Sequence, residues 1–201
     1  MNDLYRVGAL ISGGGRTVLN LAEQAAAGKL PIQIALVIAH SEEVSGVERC
    51  RALGLPVVTI PKKPIESMSD RIDEALESAG VQLVCLCGYL QYFRVGTRWA
   101  GKTLNIHPSL LPDFGGQGMY GEHVHRAVLD AGRTQSGCTV HMVDEEYDHG
   151  PVVLQRRCPV HPSDTPETLA ARVFELECEA FPAALREVLA GSCEQEEKTI
   201  P

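Results

Sequence analysis

The feature that most constrains the fold is an alternation of short apolar segments with helical segments in the first half of the chain. The apolar segments are rich in β-branched residues, and the segments between them carry apolar residues at helical spacing. Strands alternating with helices of this length predict a parallel, doubly wound sheet that is covered on both faces. The predicted strands are Arg6–Ile11, Ile32–Ala39, Val57–Ile60 and Gln82–Cys87, and the predicted helices are Val18–Ala27, Val44–Leu53 and Arg71–Ser78.

The pattern changes after Gly101. Two strands, Thr139–Val143 and Val152–Pro159, follow each other with only a turn between them, which predicts an antiparallel C-terminal extension of the sheet. A long helix is predicted from about Pro166 to Leu189. Thr165 precedes it as a candidate N-cap, and proline is favoured in a first helical turn.

We expect one domain over residues 1–191, followed by a polar, mobile tail over residues 192–201. A chain of 201 residues with 44% hydrophobic residues is long enough to bury a substantial core. It contains no apolar run of 18 residues and no N-terminal secretory signal, so we expect a cytoplasmic protein without a membrane span.

The net charge of −8 argues against nucleic acid as a partner, because nucleic-acid binding generally uses a basic face. The seven cysteines are scattered, and Cys85 and Cys87 lie in an apolar segment that is typical of a buried strand. Because neither cysteines nor histidines show metal-ligand spacing, we expect free thiols and no metal site.

A carboxamide and an imidazole alternate where an apolar segment gives way to a proline-bounded loop. Asn105 and His107 are two residues apart, so in an extended segment their side chains lie on the same face. Pro108 and Pro112 restrict the backbone that follows. The pair predicts a hydrogen-bond donor beside a titratable acid or base, although a pair of this kind can also do no more than satisfy a turn.

A glycine-rich loop, Gly13–Gly15, connects the first strand to the first helix. Backbone N–H groups and the helix dipole make such a place an anion site. No Gly-Lys-Ser/Thr follows, and Val18 stands where a dinucleotide motif has its third glycine, so a monophosphate fits better than a dinucleotide. The alternative is a tight turn that binds no ligand.

Two long motifs resemble those of the folate-dependent formyltransferases. One is Leu104–Pro112, and the other is Gly137–Pro151. The resemblance also takes in Ser12–Arg16, Leu86–Leu90 and the helix around Glu177, so that it spans roughly residues 5 to 190. It implies a Rossmann-like formyltransferase fold and transfer of a formyl group from 10-formyltetrahydrofolate to the amine of glycinamide ribonucleotide.

Formyl transfer passes through a tetrahedral intermediate that carries an oxyanion, and it requires a group that moves protons. By the resemblance, Asn105 donates to the oxyanion, His107 stabilises it and passes a proton to the leaving nitrogen, and Asp148 keeps His107 protonated or assists amine deprotonation through water. The substrate residues implied by the resemblance are Gly13, Gly14, Gly15, Arg16 and Thr17 for the phosphate, Glu177 for the ribose, and Leu86, Cys87, Gly88, Tyr89, Leu90, Gln91, Val143, Asp144, Glu145 and Tyr147 for the folate.

Several alternatives remain open. Arg16-Thr17 stands where the family commonly has Ser-Asn or Thr-Asn, so the acceptor could be another phosphorylated amine. A hydrolase of 10-formyltetrahydrofolate and a non-catalytic phosphate- or folate-binding module are the other readings. We expect His141 to be structural and the Phe114–Gly121 segment, with its four glycines, to be a flexible flap. The partners expected are small molecules, and the chain is expected to be a monomer or a homodimer.

Overall fold

The computed structural model describes residues 4–197, with side chains described through residue 191. The chain clusters into two compact units. The first consists of Met1–Asn105 and Met142–Glu145, and the second of Ile106–His141 and Glu146–Pro201. Strand β5 includes residues of both units, and the sheet found within residues 4–197 has seven strands.

The first unit is the doubly wound part of the fold. Its strands are all parallel and are ordered β3-β2-β1-β4-β5. The strands are β1 (Tyr5–Ile11), β2 (Ile32–Ala39), β3 (Val57–Thr59), β4 (Leu83–Leu86) and β5 (Thr103–His107), of which the first three residues lie in this unit. The helices are α1 (Arg16–Ala26), α2 (Ser45–Ala52), α3 (Met68–Ser78) and α4 (Gly96–Trp99), with a 3-10 turn at Ile65–Ser67.

A single apolar cluster stabilises one face of this part of the sheet. Leu10, Ile38 and Val84 come from neighbouring parallel strands, and Ile72 and Leu76 come from helix α3. All five are at most 2% exposed. Because both faces of these strands are covered, their sequences are continuously apolar and do not alternate.

The second unit continues from the end of β5 with α5 (Glu122–Asp130), β6 (Gln135–Met142), β7 (Val152–Pro159) and α6 (Pro166–Glu197). Strands β6 and β7 are antiparallel, with Cys138 opposite Arg156. Helix α6 packs against β7 and α5. It begins at Pro166 as predicted, and the Thr168 N–H donates to Thr165 Oγ1 over 3.3 Å, which is the N-cap interaction expected of threonine.

The mostly parallel α/β sheet, its antiparallel C-terminal extension and the long last helix are confirmed. Helix α6 is longer than predicted, since it continues to Glu197 and so includes the first residues of the expected tail; residues 198–201 lie outside the described part. Helix α5 was not predicted, because four glycines precede its nine residues and weaken any helical pattern there. The single domain over 1–191 stays a prediction.

No helix in the described part of the chain is long and apolar enough to cross a membrane.

The close pairing of β6 and β7 generates a prediction at Gly137, where a Cβ atom would overlap the backbone carbonyl of Arg156. Gly137→Ala should therefore lower the free energy of unfolding by about 1–3 kcal/mol, the usual result of overpacking. Gly191→Ala is the control, since nothing lies within 4 Å of a Cβ there, and alanine in a helix should be neutral or stabilising by up to about 1 kcal/mol. Urea unfolding of both variants checks this, and equal stabilities would contradict it.

Candidate active site

The second unit contains a buried cluster of one carboxylate and two imidazoles. Asp148 Oδ2 lies 3.3 Å from His107 Nδ1, and Asp148 Oδ1 lies 3.5 Å from His141 Nε2. The side chains of Asp148, His107 and His141 are 11%, 5% and 1% exposed, respectively. Strand β5 supplies His107 at its last position and β6 supplies His141, so two strands hold the imidazoles in place around one acid.

Burial and hydrogen bonding act in opposite directions on His107. Burial lowers the pKa of His107, and the Asp148 carboxylate and the Phe114 carbonyl oppose that shift without cancelling it. His107 Nε2 lies 2.8 Å from the Phe114 carbonyl oxygen, which can only accept, so Nε2 carries a proton. His107 Nδ1 faces the Asp148 carboxylate, so a protonated ring has an acceptor at each nitrogen. That Asp148 keeps His107 protonated stays a prediction.

Asp148 itself stays ionised. Burial raises the pKa of Asp148, but the hydrogen bond with His141, the charge interaction with His107 and the Gly116 N–H together bring it below its ordinary value. The Gly116 N–H donates to Asp148 Oδ2 over 3.0 Å. A charge of this kind, held by several partners, is the arrangement in which burial of a carboxylate is tolerated.

The backbone around this carboxylate is constrained. Asp148 has a φ of 55°, in the left-handed region that residues other than glycine rarely occupy. At Gly115 an added Cβ would come within 2.5 Å of the Leu111 side chain and 3.2 Å of Asp148 Cβ. The glycine-rich segment after Phe114 therefore packs closely against Asp148. The sequence analysis predicted a flexible flap there and did not predict this contact.

In the first unit, the glycine loop leads into α1 without a side-chain cap. Gly15 occupies the N-cap position with a φ of 67°, and no side chain makes a capping hydrogen bond there. The N-terminal N–H groups of an uncapped helix are available to an anion. Gly13 and Arg16 are exposed, whereas Thr17 is buried.

Helix α2 fixes the shape of this loop. The Gly46 N–H donates to the Gly13 carbonyl over 3.1 Å. A Cβ at Gly46 would come within 2.7 Å of that oxygen and 2.9 Å of the Gly15 nitrogen. The Arg49 guanidinium lies 3.3 Å from the Gly14 carbonyl oxygen. Gly46 and Arg49 were missed by the sequence analysis, because only the folded chain brings α2 against the loop.

The predicted folate segment after β4 is tied to the same loop. The Ser12 N–H donates to the Gly88 carbonyl over 3.1 Å, and Ser12 Oγ accepts from the Leu90 N–H at 2.9 Å. Cys87 is buried, and burial raises the pKa of its thiol. Cys87 therefore contributes packing and backbone and no reactive thiolate.

Asn105 is half-buried in β5 and is paired with Leu86 of β4. Glu177 is half-buried on α6 and contributes, after burial, to the raised pKa of Cys138, which is about 12.

The predicted site residues divide between the two units. The first unit holds Gly13, Gly14, Gly15, Arg16, Thr17, Leu86, Cys87, Gly88, Tyr89, Leu90, Gln91, Asn105, Val143, Asp144 and Glu145, and the second holds His107, Tyr147, Asp148 and Glu177.

A further buried histidine lies in the second unit. His125 on α5 is 4% exposed, and its Nδ1 has no hydrogen-bond partner. Burial, and after it the proximity of His107, lowers the pKa of His125 to about 4. His125 is not among the residues predicted for the site.

Within the described residues, no group of three or more His, Cys, Asp or Glu side chains has an arrangement that could hold a metal ion.

Comparison with known proteins gives a consistent family assignment. Residues 5–185 match the formyl transferase family. Over 188 residues the chain is 34% identical to the phosphoribosylglycinamide formyltransferase of Haemophilus influenzae, covering 91% of this chain and 86% of that protein. It is 38% identical over 192 residues to the trifunctional purine biosynthetic protein adenosine-3 of Gallus gallus, covering 93% of this chain and only 19% of that much longer protein.

The fold is also similar to solved structures. The crystal structure of glycinamide ribonucleotide transformylase 1 from Symbiobacterium toebii superposes with a TM-score of 0.86 at 34% identity. The superposition covers 92% of this chain and 88% of that one.

The environment of His125 predicts a loss of stability in acid. Between pH 6.5, the ordinary histidine pKa, and its folded-state pKa of about 4, the unfolded chain binds a proton that the folded chain does not. The free energy of unfolding should therefore fall by about 3 kcal/mol as the pH falls through this range. Urea unfolding between pH 7.5 and 4.5 measures the slope. His125→Gln should flatten it and the exposed His123→Gln should not; equal slopes in all three proteins would contradict the assignment.

Proposed function

Because this chain belongs to the formyl transferase family, we propose that it transfers the formyl group of 10-formyltetrahydrofolate to the amine of glycinamide ribonucleotide. The relative from Haemophilus influenzae is named a phosphoribosylglycinamide formyltransferase and aligns over most of both chains. The chain spans only about a fifth of the trifunctional relative from Gallus gallus, so the proposal concerns the formyl transfer and not that protein's other activities.

The observation that carries the proposal is the contact between His107 and Asp148 at the end of β5. A buried imidazole 3.3 Å from an ionised carboxylate can take up a proton without leaving either charge unpaired. When the ring is protonated, each of its N–H groups has an acceptor, Asp148 at Nδ1 and the Phe114 carbonyl at Nε2.

We assign the chemistry as follows. The amine nitrogen attacks the formyl carbon to form a tetrahedral intermediate, and the Asn105 carboxamide donates to the resulting oxyanion. The amine loses a proton, and the folate N10 gains one as its bond to the formyl carbon breaks. His107 and Asp148 transfer this proton. Preorganised donors of this kind stabilise the charge that develops in the transition state more than the charge of the bound substrate.

The acceptor's phosphate is assigned to the glycine loop. No side chain caps the start of α1, where the helix dipole favours an anion, and the loop's shape is held by Gly46. Arg16 and Thr17, which follow the loop, are assigned to the same phosphate. Glu177 is assigned to the ribose hydroxyls. The backbone of residues 86–91, together with Val143–Glu145 and Tyr147, is assigned to the folate.

The acceptor screen described below distinguishes three alternative functions. A hydrolase would release formate from the same donor, and a related transferase would use a different phosphorylated amine. A binding module would bind phosphate or folate without turnover, but it would have no need of a buried imidazole beside a carboxylate at His107 and Asp148. A cytoplasmic location, a monomeric or homodimeric state and the absence of nucleic-acid partners stay predictions.

The function is tested by an amine-acceptor screen with 10-formyltetrahydrofolate, following tetrahydrofolate release and formate separately. Glycinamide ribonucleotide should be the preferred acceptor, without formate in its absence. Asp148→Asn and His107→Ala should each slow turnover by about 10²–10⁴-fold, the usual effect of losing a proton-transfer group. Formate release without an acceptor would favour the hydrolase, and near-wild-type rates in both variants would refute the mechanism.

Arg16 provides a separate test of the phosphate assignment, because it is exposed at the first position of α1. A charge-assisted hydrogen bond to phosphate is worth roughly 1.5–3 kcal/mol, so Arg16→Ala should raise the acceptor's KM by about 10- to 100-fold. Donor binding should not change. Arg51→Ala is the matched control, since Arg51 is an exposed cation of α2 that is paired with Glu42. An unchanged KM in Arg16→Ala would assign phosphate binding to the backbone alone.

A further inference from the structure

Glu145 joins two segments of the first unit through both of its carboxylate oxygens. Its Oε2 accepts from the Tyr92 hydroxyl at 2.7 Å, and its Oε1 accepts from the Gly96 N–H at 3.0 Å. Tyr92 is 41% exposed, so the tyrosine is not held in place by burial alone. The contact links Met142–Glu145 to the residues that directly follow the predicted folate segment 86–91.

Both partners of this contact are anchored on their other sides. Phe93 and Val95, which flank the contact on one segment, are 5% and 3% exposed in the apolar cluster. On α4, the Trp99 indole N–H donates to Asp73 of α3 over 2.8 Å. On the other segment, the Val143 N–H donates to the Thr103 carbonyl over 2.9 Å. Glu145 therefore closes a connection between two segments that are each fixed to the sheet or its helices.

The need for such a connection follows from how the folate is expected to bind. The segments 86–91 and Val143–Glu145 are assigned to the donor largely through backbone groups, and backbone groups recognise a ligand only when they are held at the right spacing. Segments that are ordered before binding lose less conformational entropy when the ligand arrives, which raises affinity without any new contact to the ligand. A carboxylate with a hydrogen bond at each oxygen is suited to this, because charge-assisted hydrogen bonds are shorter and stronger than neutral ones.

We propose that Glu145 and Tyr92 are positioning residues that form a latch, which fixes the spacing of the two donor-binding segments and so sets the affinity for the reduced folate. The inference rests on the proposed function and adds to it a determinant of donor binding that touches neither the acceptor phosphate nor the reacting atoms. Tyr92 is the specific partner, because phenylalanine at that position would keep the ring and lose the hydrogen bond.

The test compares four variants by direct binding of 10-formyltetrahydrofolate without acceptor. Glu145→Ala loses both hydrogen bonds and should weaken donor binding by about tenfold, while Tyr92→Phe loses one and should weaken it by about threefold. Glu145→Gln keeps one acceptor oxygen and should lie between wild type and Glu145→Ala. Glu77→Gln is the control, since it removes the exposed ion pair of 2.7 Å between Glu77 of α3 and Arg98 of α4, the helix that begins at Gly96, without changing Glu145.

Two further readouts separate positioning from a general loss of structure. In Tyr92→Phe, a residue outside the assigned binding residues, the acceptor KM and the single-turnover rate at saturating donor should stay within about twofold of wild type, because the latch acts on donor binding. Amide exchange at Gly96 should be faster by about tenfold in Glu145→Ala and unchanged in Glu77→Gln, because the Gly96 N–H loses its acceptor only in the first.

Each outcome has a definite meaning. Unchanged donor binding in Glu145→Ala and Tyr92→Phe, or an equal loss in Glu77→Gln, overturns the latch while leaving formyl transfer intact. An equal rise in donor and acceptor constants overturns it as well, since that is the result of a distorted fold. A wild-type protein that binds the folate but formylates no amine refutes the proposed function, and the binding and exchange measurements then still decide the latch.

Discussion

The candidate site depends on one buried carboxylate. Asp148 lies next to two imidazoles and accepts the Gly116 N–H, in a backbone conformation with positive φ. Removing a carboxylate of this kind leaves its partners buried without compensation, which costs more than the net value of any one hydrogen bond. The positions of His107, His141 and the glycine-rich segment after Phe114 are therefore conditional on the charge of Asp148, and the strands that hold the two histidines supply the rigidity that keeps the three groups together.

Opposing influences act on the proton affinity of His107. Burial lowers the pKa of the ring, and the Asp148 carboxylate opposes that shift. A ring that has acceptors ready for both of its N–H groups can take and return a proton with little rearrangement. This is why the local structure around Phe114 matters to the chemistry, since its carbonyl determines which nitrogen carries the resting proton.

Much of the fold could be predicted from the sequence, because parallel strands buried on both faces are continuously apolar and their positions can be recognised without tertiary information. Asn105 and His107 could be singled out because they end such a strand. The contact of His141 with Asp148 could not, since a histidine within a strand has the same local pattern whether it packs or binds an acid. Gly46 against the glycine loop and Tyr92 with Glu145 depend on residues more than 30 positions apart, where single-sequence patterns carry no information.

The start of α1 shows how the loop and the proposed ligand fit together energetically. Helices usually satisfy their first N–H groups with a serine, threonine, aspartate or asparagine cap, worth about 1 kcal/mol. Gly15 supplies no such side chain, and no acidic residue occupies the first turn. The protein thus forgoes a side-chain cap at a place that Gly46 holds in a defined shape. A bound phosphate would accept from the same N–H groups and interact favourably with the helix dipole. Under the proposed function, the missing cap is therefore the condition for acceptor binding, because a side-chain oxygen at that position would compete with the phosphate for the same donors.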